Sequence, residues 1–324
     1  MKIAAAKPLL LLLLSLAQVS CASAQGPAGR TVQLGGVNYH RGSNLAAFYG
    51  LSAAAGPKTL ALTGRGRQMT LTEQRREATC NQVAVSLSHP AQRLGKSWLV
   101  SDPDVRLLFD PIFRPQNLPR RRVRTIVLDP GHGGRDQGAA AGGILEKAVT
   151  LQIARRVAES LRKSGYTVHL TRTTDSTLEL AQRPAIANRL RADLFVSIHV
   201  NATADRSVNG IETFFLPPRN TPSTYGTRPL TTLCRNHAVA RYNTRLAYDL
   251  QRQLLAASGA ADRGLKHANF AVLRDAACPA VLVEVGFLSH PKEGPRLGTR
   301  AAQGRLATGI ANGIRAYAQN VGQK

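Results

Sequence analysis

The rhythm of apolar and polar positions changes near residue 125. Before it, short runs alternate apolar and polar residues between turn-formers: Val32-Gln33-Leu34, Thr59-Leu60-Ala61-Leu62, Met69-Thr70-Leu71, Val83-Ala84-Val85 and Trp98-Leu99-Val100. Each predicts a strand, and Asn44 to Tyr49 predicts a short helix closed by Gly50. After it, apolar strands at 125–129, 167–171, 194–200, 210–216 and 280–285 are interspersed with helical patterns near 147–163, 179–191, 244–258 and 301–319. Val149, Ile153, Val157 and Leu161 share one helix face, and Leu306, Ile310, Ile314 and Tyr317 repeat that spacing. Such alternation predicts an α/β domain over 124–324, its mostly parallel sheet covered by helices on both faces. A small α+β module over 25–113 precedes it, and the prolines and basic run of "RPQNLPRRRVR" predict a linker over 114–123.

The first 24 residues have a different character. Lys2 and Lys7 precede the apolar run Leu9 to Leu14, and Ala22-Ser23-Ala24 is a small-residue cleavage site. This predicts a signal peptide and an exported protein, in the periplasm or cell wall, with no stable membrane span. Export permits disulfides, and among Cys80, Cys234 and Cys278 the expected pair is Cys234 with Cys278. No CxxC spacing points to a thiolate zinc site. The formal net charge of +24 is spread along the chain and favours polyanions. No helix-turn-helix, zinc-finger or RNA-recognition motif accompanies it, so export makes wall carboxylates or phosphates the expected partners rather than nucleic acid.

The chemistry concentrates after residue 125. "LDPGHGGRDQG" puts His132 in a glycine-rich turn behind a strand, but without the spacing or lysine of a P-loop and without a dinucleotide fingerprint. His199 ends another strand in "LFVSIHVNA", and in an open α/β sheet strand carboxyl ends gather along one edge. Glu146 opens the next helix, and Glu284 stands between Val283 and Val285 in a run that otherwise reads as core. A carboxylate there needs a partner. Two imidazoles, one carboxylate and an open fourth position describe a catalytic zinc site, which leaves the other glutamate as general base. Asp129 is a candidate to orient His132, Asn201 to bond substrate or a ligand, and Arg172 and Arg183 to bind substrate carboxylates.

"TIVLDPGHGG", Glu146, "LFVSIHVNA", "GIETFFL", "DRGLKHANFAVLR" and "PAVLVEVGFLSHP" occur in order across about residues 124–318. In this the chain resembles the zinc-dependent N-acetylmuramoyl-L-alanine amidases of the type-3 amidase family. The resemblance implies one Zn2+ bound by His132, Glu146 and His199, and Glu284 as the catalytic glutamate. It implies a peptidoglycan hydrolase that cleaves the amide between N-acetylmuramic acid and the L-alanine of the stem peptide with zinc-activated water. Val200 departs from the small residue usual in that motif and is expected to narrow the floor beside the metal. A wall-binding module without turnover is the rival from another class.

The segment 25–113 resembles, in pattern, the small modules akin to the amine-oxidase N-terminal domain on some envelope proteins. It is expected to serve wall targeting and to be dispensable for small soluble muropeptides. Some amidases of the family block their zinc with an acidic inserted helix until a partner withdraws it. Here Thr213 to Tyr248 contains no Asp or Glu but carries Arg219, Arg228, Arg235, Arg241 and Arg245, with His237 as a conceivable ligand. The expectation is activity without an activator protein and a cationic loop that attracts anionic stem peptides.

Overall fold

A computed structural model describes residues 26–27 and 29–322; the signal-peptide expectation lies outside them. The N-terminal part comprises β1 (Val32–Leu34), β2 (Val37–Arg41), α1 (Gly42–Tyr49), β3 (Ser52–Ala55), β4 (Thr59–Gly64), β5 (Arg67–Thr72), β6 (Glu77–Cys80), β7 (Val83–Ser86), β8 (Gln92–Leu94) and β9 (Ser97–Ser101). A π-helical turn at Asp104–Phe109 runs into α2 (Asp110–Phe113). There follow β10 (Thr125–Pro130), the short pair β11 (Ala140–Ala141) and β12 (Ile144–Leu145), α3 (Glu146–Arg162), β13 (Thr167–Leu170), α4 (Gln182–Arg189), β14 (Leu194–Asn201) and β15 (Ile211–Phe215). The chain closes with α5 (Ala240–Ser258), β16 (Asp262–His267), α6 (Ala271–Arg274), β17 (Ala280–Phe287), α7 (Glu293–Leu297) and α8 (Arg300–Gly322).

The expected α/β architecture is present. Strands β13, β10, β14 and β17 are parallel neighbours, β15 runs antiparallel to β17, and β16 is parallel to β15. Side chains alternate between the two faces of each strand. One set, including Ile126, Val196, Val283 and Leu265, joins the apolar residues of α3, α5 and α8 in the main core. The other, including Val127, Phe195, Leu282 and Phe214, packs with Ala187 of α4 and Val272 and Leu273 of α6.

The sheet does not stop at the N-terminal part. Strand β7 pairs in parallel with β16 at Leu265↔Val85, and β6, β5, β4 and β3 continue as an antiparallel meander, so eleven strands form one sheet. Leu62, Met69, Leu71 and Val85 belong to the same core as Leu250 and Leu254 of α5. At the join Gly264 has φ +83, and a β-carbon there would stand 2.5 Å from the Ala84 carbonyl oxygen. Only glycine permits that approach and that dihedral together. The segment expected as a linker is pinned as well. Leu118 is buried, the Arg121 amide donates to the Val321 carbonyl at 3.0 Å, and the Tyr242 hydroxyl donates to the Pro119 carbonyl at 2.7 Å.

Opposite the core, β4 to β7 bear Thr59, Ala61, Thr63, Gln68, Thr70, Thr72, Glu77, Thr79, Ala84 and Ser86, all exposed or half-buried. The register puts them on the sheet face that carries Glu284 and Glu212 farther along.

Candidate active site

The loop leaving β10 carries His132 in a left-handed conformation, φ 60. For a residue with a β-carbon this costs about 1–2 kcal/mol, so the surroundings must impose it. Two buried arginines do so. Arg172 donates to the carbonyls of Pro130 (3.0 Å), Gly131 (2.8 Å) and Lys147 (2.7 Å). Arg183 donates to the carbonyls of Pro130 and His132, each at 3.1 Å, and pairs with Asp129 at 2.9 Å. Both are under 5 % exposed, which corrects their reading as receptors for substrate carboxylates: they hold the loop. Asp129 does not orient His132 either, since its oxygens are taken by Arg183, Thr171 and Ser197. Asp136 does, with Oδ2 2.7 Å from His132 Nδ1.

Three donors converge above the strand ends. Glu146 Oε1 lies 3.1 Å from His132 Nε2 and 3.0 Å from His199 Nδ1, and the two imidazole centroids are 4.9 Å apart. One ligand atom from each residue falls within 4.8 Å of the others, so the trio can hold a metal ion. The fit is tight. A β-carbon on Gly131 would stand 2.4 Å from the His199 ring. Backbone amides of Val200 and Ala139 donate to Glu146 Oε1 and Oε2 at 3.0 and 2.7 Å and aim the carboxylate. Burial alone would raise the Glu146 pKa, but hydrogen bonds from both imidazoles, the His199 charge and the Val200 amide bring it well below the usual carboxylate range. Burial likewise pushes His132 down, and contacts with Glu146 and Asp136 outweigh it and raise its pKa.

Glu284 lies in register beside His199 on β17 and opposite Glu212 on β15. Its Oε2 is buried without a hydrogen-bond partner among the described residues. Burial first, then the charges of Glu146 and Glu212, push its pKa well above the carboxylate range. A carboxyl raised in this way is, once ionised, a stronger base than an ordinary carboxylate, which suits it to proton transfer.

Glu212 is the residue that sequence reasoning passed over. Buried at 2 % exposure, it is the hub of a polar cluster. Lys266 Nζ donates to its Oε2 at 2.6 Å, Arg263 Nε at 3.1 Å and Tyr225 Oη at 3.3 Å, while Asn201 Nδ2 donates to Oε1 at 3.1 Å. Asn201 thus acts on Glu212. The available signal was the joint presence of "GIETFFL" and "DRGLK", two charged strands that must share their charges when adjacent.

The segment after β15 folds back as a turn in which the Asn220 amide donates to the Leu230 carbonyl and the Leu230 amide to the Thr221 carbonyl. His237 is tied away from the metal trio: its Nδ1 accepts from the Cys234 amide at 2.9 Å and its Nε2 lies 3.1 Å from the Pro217 carbonyl. Arg241 and Arg245 pair with Asp110 and Asp249, leaving Arg219, Arg228 and Arg235 as exposed arginines of this segment. Val200 points into the main core, so it does not narrow the metal floor. Cys80, Cys234 and Cys278 are all free thiols, so the expected Cys234–Cys278 pair is not formed.

The sequence profile of the N-acetylmuramoyl-L-alanine amidases matches residues 126–316. The chain is 34% identical over 219 residues to the germination-specific N-acetylmuramoyl-L-alanine amidase of Bacillus subtilis, covering 63% of this chain and 84% of that one. It is 30% identical over 273 residues to the amidase AmiA of Escherichia coli, covering 76% and 92%. Against the amidase LytC of B. subtilis, 37% identical over 193 residues, the match covers 60% of this chain and about a third of the relative, 35%. Among solved structures, the amidase AmiC2 of Nostoc punctiforme superposes with a TM-score of 0.52 at 36% identity, covering 60% of this chain and 97% of that one. The catalytic domain of CwlV from Bacillus (Paenibacillus) polymyxa gives 0.51 at 34%, covering 60% and 98%. With the profile spanning more than half of the sequence, the chain belongs to the N-acetylmuramoyl-L-alanine amidase family of peptidoglycan hydrolases.

Proposed function

We propose that His132, Glu146 and His199 hold one zinc ion and that Glu284 is the general base and acid of amide hydrolysis. The observation that carries this is a compact His/Glu/His trio beside a carboxyl whose buried oxygen has no hydrogen-bond partner among the described residues. Two imidazoles and one carboxylate suit zinc and leave a position open for chemistry. Zinc, when bound there, supplies Lewis acidity toward the carbonyl and lowers the pKa of a water. Asp136 holds the His132 ring through Nδ1 and keeps Nε2 directed at the site. Glu284 Oε2 accepts the proton of the attacking water and passes it to the departing nitrogen of L-alanine. An amide is a poor electrophile with a poor leaving group, so the same carboxyl must serve both transfers.

The substrate in this reading is peptidoglycan outside the cytoplasm, in the periplasm or cell wall. No helix among the described residues is long and apolar enough to cross a membrane. Turnover requires no activator protein: Thr213 to Tyr248 brings no acidic side chain to the metal trio, and His237 is engaged elsewhere. The N-terminal part, residues 25–113, contributes to wall binding through the hydroxyl-bearing face of β4 to β7, which the site's own face continues. The test is release of stem peptides from purified sacculi by the mature protein alone, with bound metal measured. Sacculi left intact by a zinc-loaded protein would overturn the reading.

A further inference from the structure

Tyr225 is 68 % exposed, an unusual state for an aromatic ring whose hydroxyl reaches a buried carboxylate. Its Oη contacts Glu212, Arg263 and Lys266, and Lys266 Nζ sits 4.5 Å from the ring centroid. Glu212 in turn faces Glu284 across the β15/β17 pair. The phenol is therefore tied down beside the proposed base, with much of the ring open to solvent.

The turn that carries it is braced from both sides. Thr224 exchanges two bonds with His267 of β16, amide to carbonyl at 2.8 Å and hydroxyl from amide at 2.8 Å. The Asn269 amide donates to Ser223 Oγ at 3.2 Å. From the N-terminal part, Arg76 donates Nη1 to the Ser223 carbonyl at 3.2 Å and Nη2 to the Pro222 carbonyl at 3.3 Å. Its Nε is fixed on the Leu87 carbonyl at 2.7 Å. A guanidinium fork so anchored holds two carbonyls in one geometry, which a flexible ammonium does less well.

We infer that Tyr225 is a sugar-binding wall of the substrate cleft, its open ring receiving the C–H face of the muramoyl pyranose, and that Arg76 is its positioning residue. A ring with a secured polar tip and an open apolar body suits a ligand that is apolar on one face and hydroxylated at its rim. Pre-ordering the turn lowers the entropy lost on binding. The inference rests on the reading of the neighbouring trio and Glu284 as the point of cleavage.

The experiment compares two soluble substrates of the full mature chain: an N-acetylmuramoyl peptide, and a lactoyl peptide that keeps the scissile amide but lacks the sugar. The readout is the ratio of their kcat/KM values. Tyr225→Ala is expected to lower that ratio about three- to tenfold, mainly through KM for the sugar-bearing substrate. Arg76→Ala should lower it in the same direction, and the double variant should lose little more than Tyr225→Ala, because the two act as a unit. Arg76→Lys, which keeps the charge and one donor contact, should fall between parent and Arg76→Ala and guards against an Arg76→Ala that folds poorly. An unchanged ratio in Tyr225→Ala overturns the sugar contact, and additive losses overturn the role of Arg76. No cleavage of either substrate by the parent would instead overturn the assignment of the site, and this inference with it.

Discussion

The two halves of the eleven-stranded sheet share one core but use their opposite face differently. Along β4 to β7 that face carries mostly small and hydroxylated residues, Thr63, Thr70, Thr79 and Ser86 among them, beside Gln68 and the exposed Glu77, and there is no buried charge among these four strands. Along β14, β17, β15 and β16 the same face carries His199, Glu284, Glu212 and Lys266, two of them buried charges. What separates the halves is cover. Helices α4 and α6 pack on the second half, and the turn bearing Tyr225 lies over Glu212. Burial makes electrostatics strong there, so Glu146 ionises readily while Glu284 resists. A scaffold this uniform acquires chemistry where the chain returns to exclude water.

The largest expected break in that contrast is removal of a ligand. His132→Ala or His199→Ala should abolish both bound metal, read by elemental analysis, and measurable hydrolysis. Glu284→Gln comes next: bound metal is retained, while kcat falls by about two to four orders of magnitude. Full activity in that variant would remove the general-base role. Asp136→Asn leaves the trio intact but loosens its orientation, and metal affinity should fall about 10- to 100-fold in a competition titration against a chelator.

Two smaller effects sharpen the comparison. Gly264→Val strikes the join between the halves, where a β-carbon meets the Ala84 carbonyl. It should lower stability by about 1–3 kcal/mol in denaturant unfolding, with bound metal in the folded fraction unchanged. The seam also bears on removing residues 26–113. That change would bare the β16 edge and the core around Leu265, so loss of solubility is expected rather than clean dispensability.

The smallest effect concerns pH and the metal-free protein. Because the folded pKa of Glu284 is raised, the folded state holds a proton that the unfolded state releases above about pH 4.5. Stability contributed by this carboxyl is therefore present below the unfolded value and declines as pH rises toward the folded one. Glu284→Gln removes the titration, so the chelated variant should melt on the order of a few degrees above the parent at pH 8. Below pH 4 the difference should vanish; a constant offset across pH would trace the effect to packing instead.

The proposed ligands and base were legible because each sits in a short motif at a strand end or helix start, where chain direction already implies a shared edge. Their partners were not. Asp129 and Asp136 both flank His132 in sequence, and only the left-handed turn at His132 decides that Asp136 reaches Nδ1 while Asp129 turns inward to Arg183. Arg172 and Arg183 read as anion receptors from their charge, yet both are buried and donate to carbonyl oxygens of the loop. Strand β16 went unread because Asp262, Arg263, Gly264 and Lys266 obscure its apolar pattern.

The chain by itself determined the α/β alternation, the helix faces and the four residues placed at the candidate centre, since all depend on local periodicity and on residue type at element ends. Only the tertiary structure decided that the N-terminal strands extend the catalytic sheet, that Arg76 braces the turn of Tyr225, and that Glu212 gathers two cations beside Glu284. Those contacts join residues about 50 to 180 positions apart. Strand pairing at such distances is set by which edge remains unfilled when the core closes, a property of the whole packed chain that no single segment encodes.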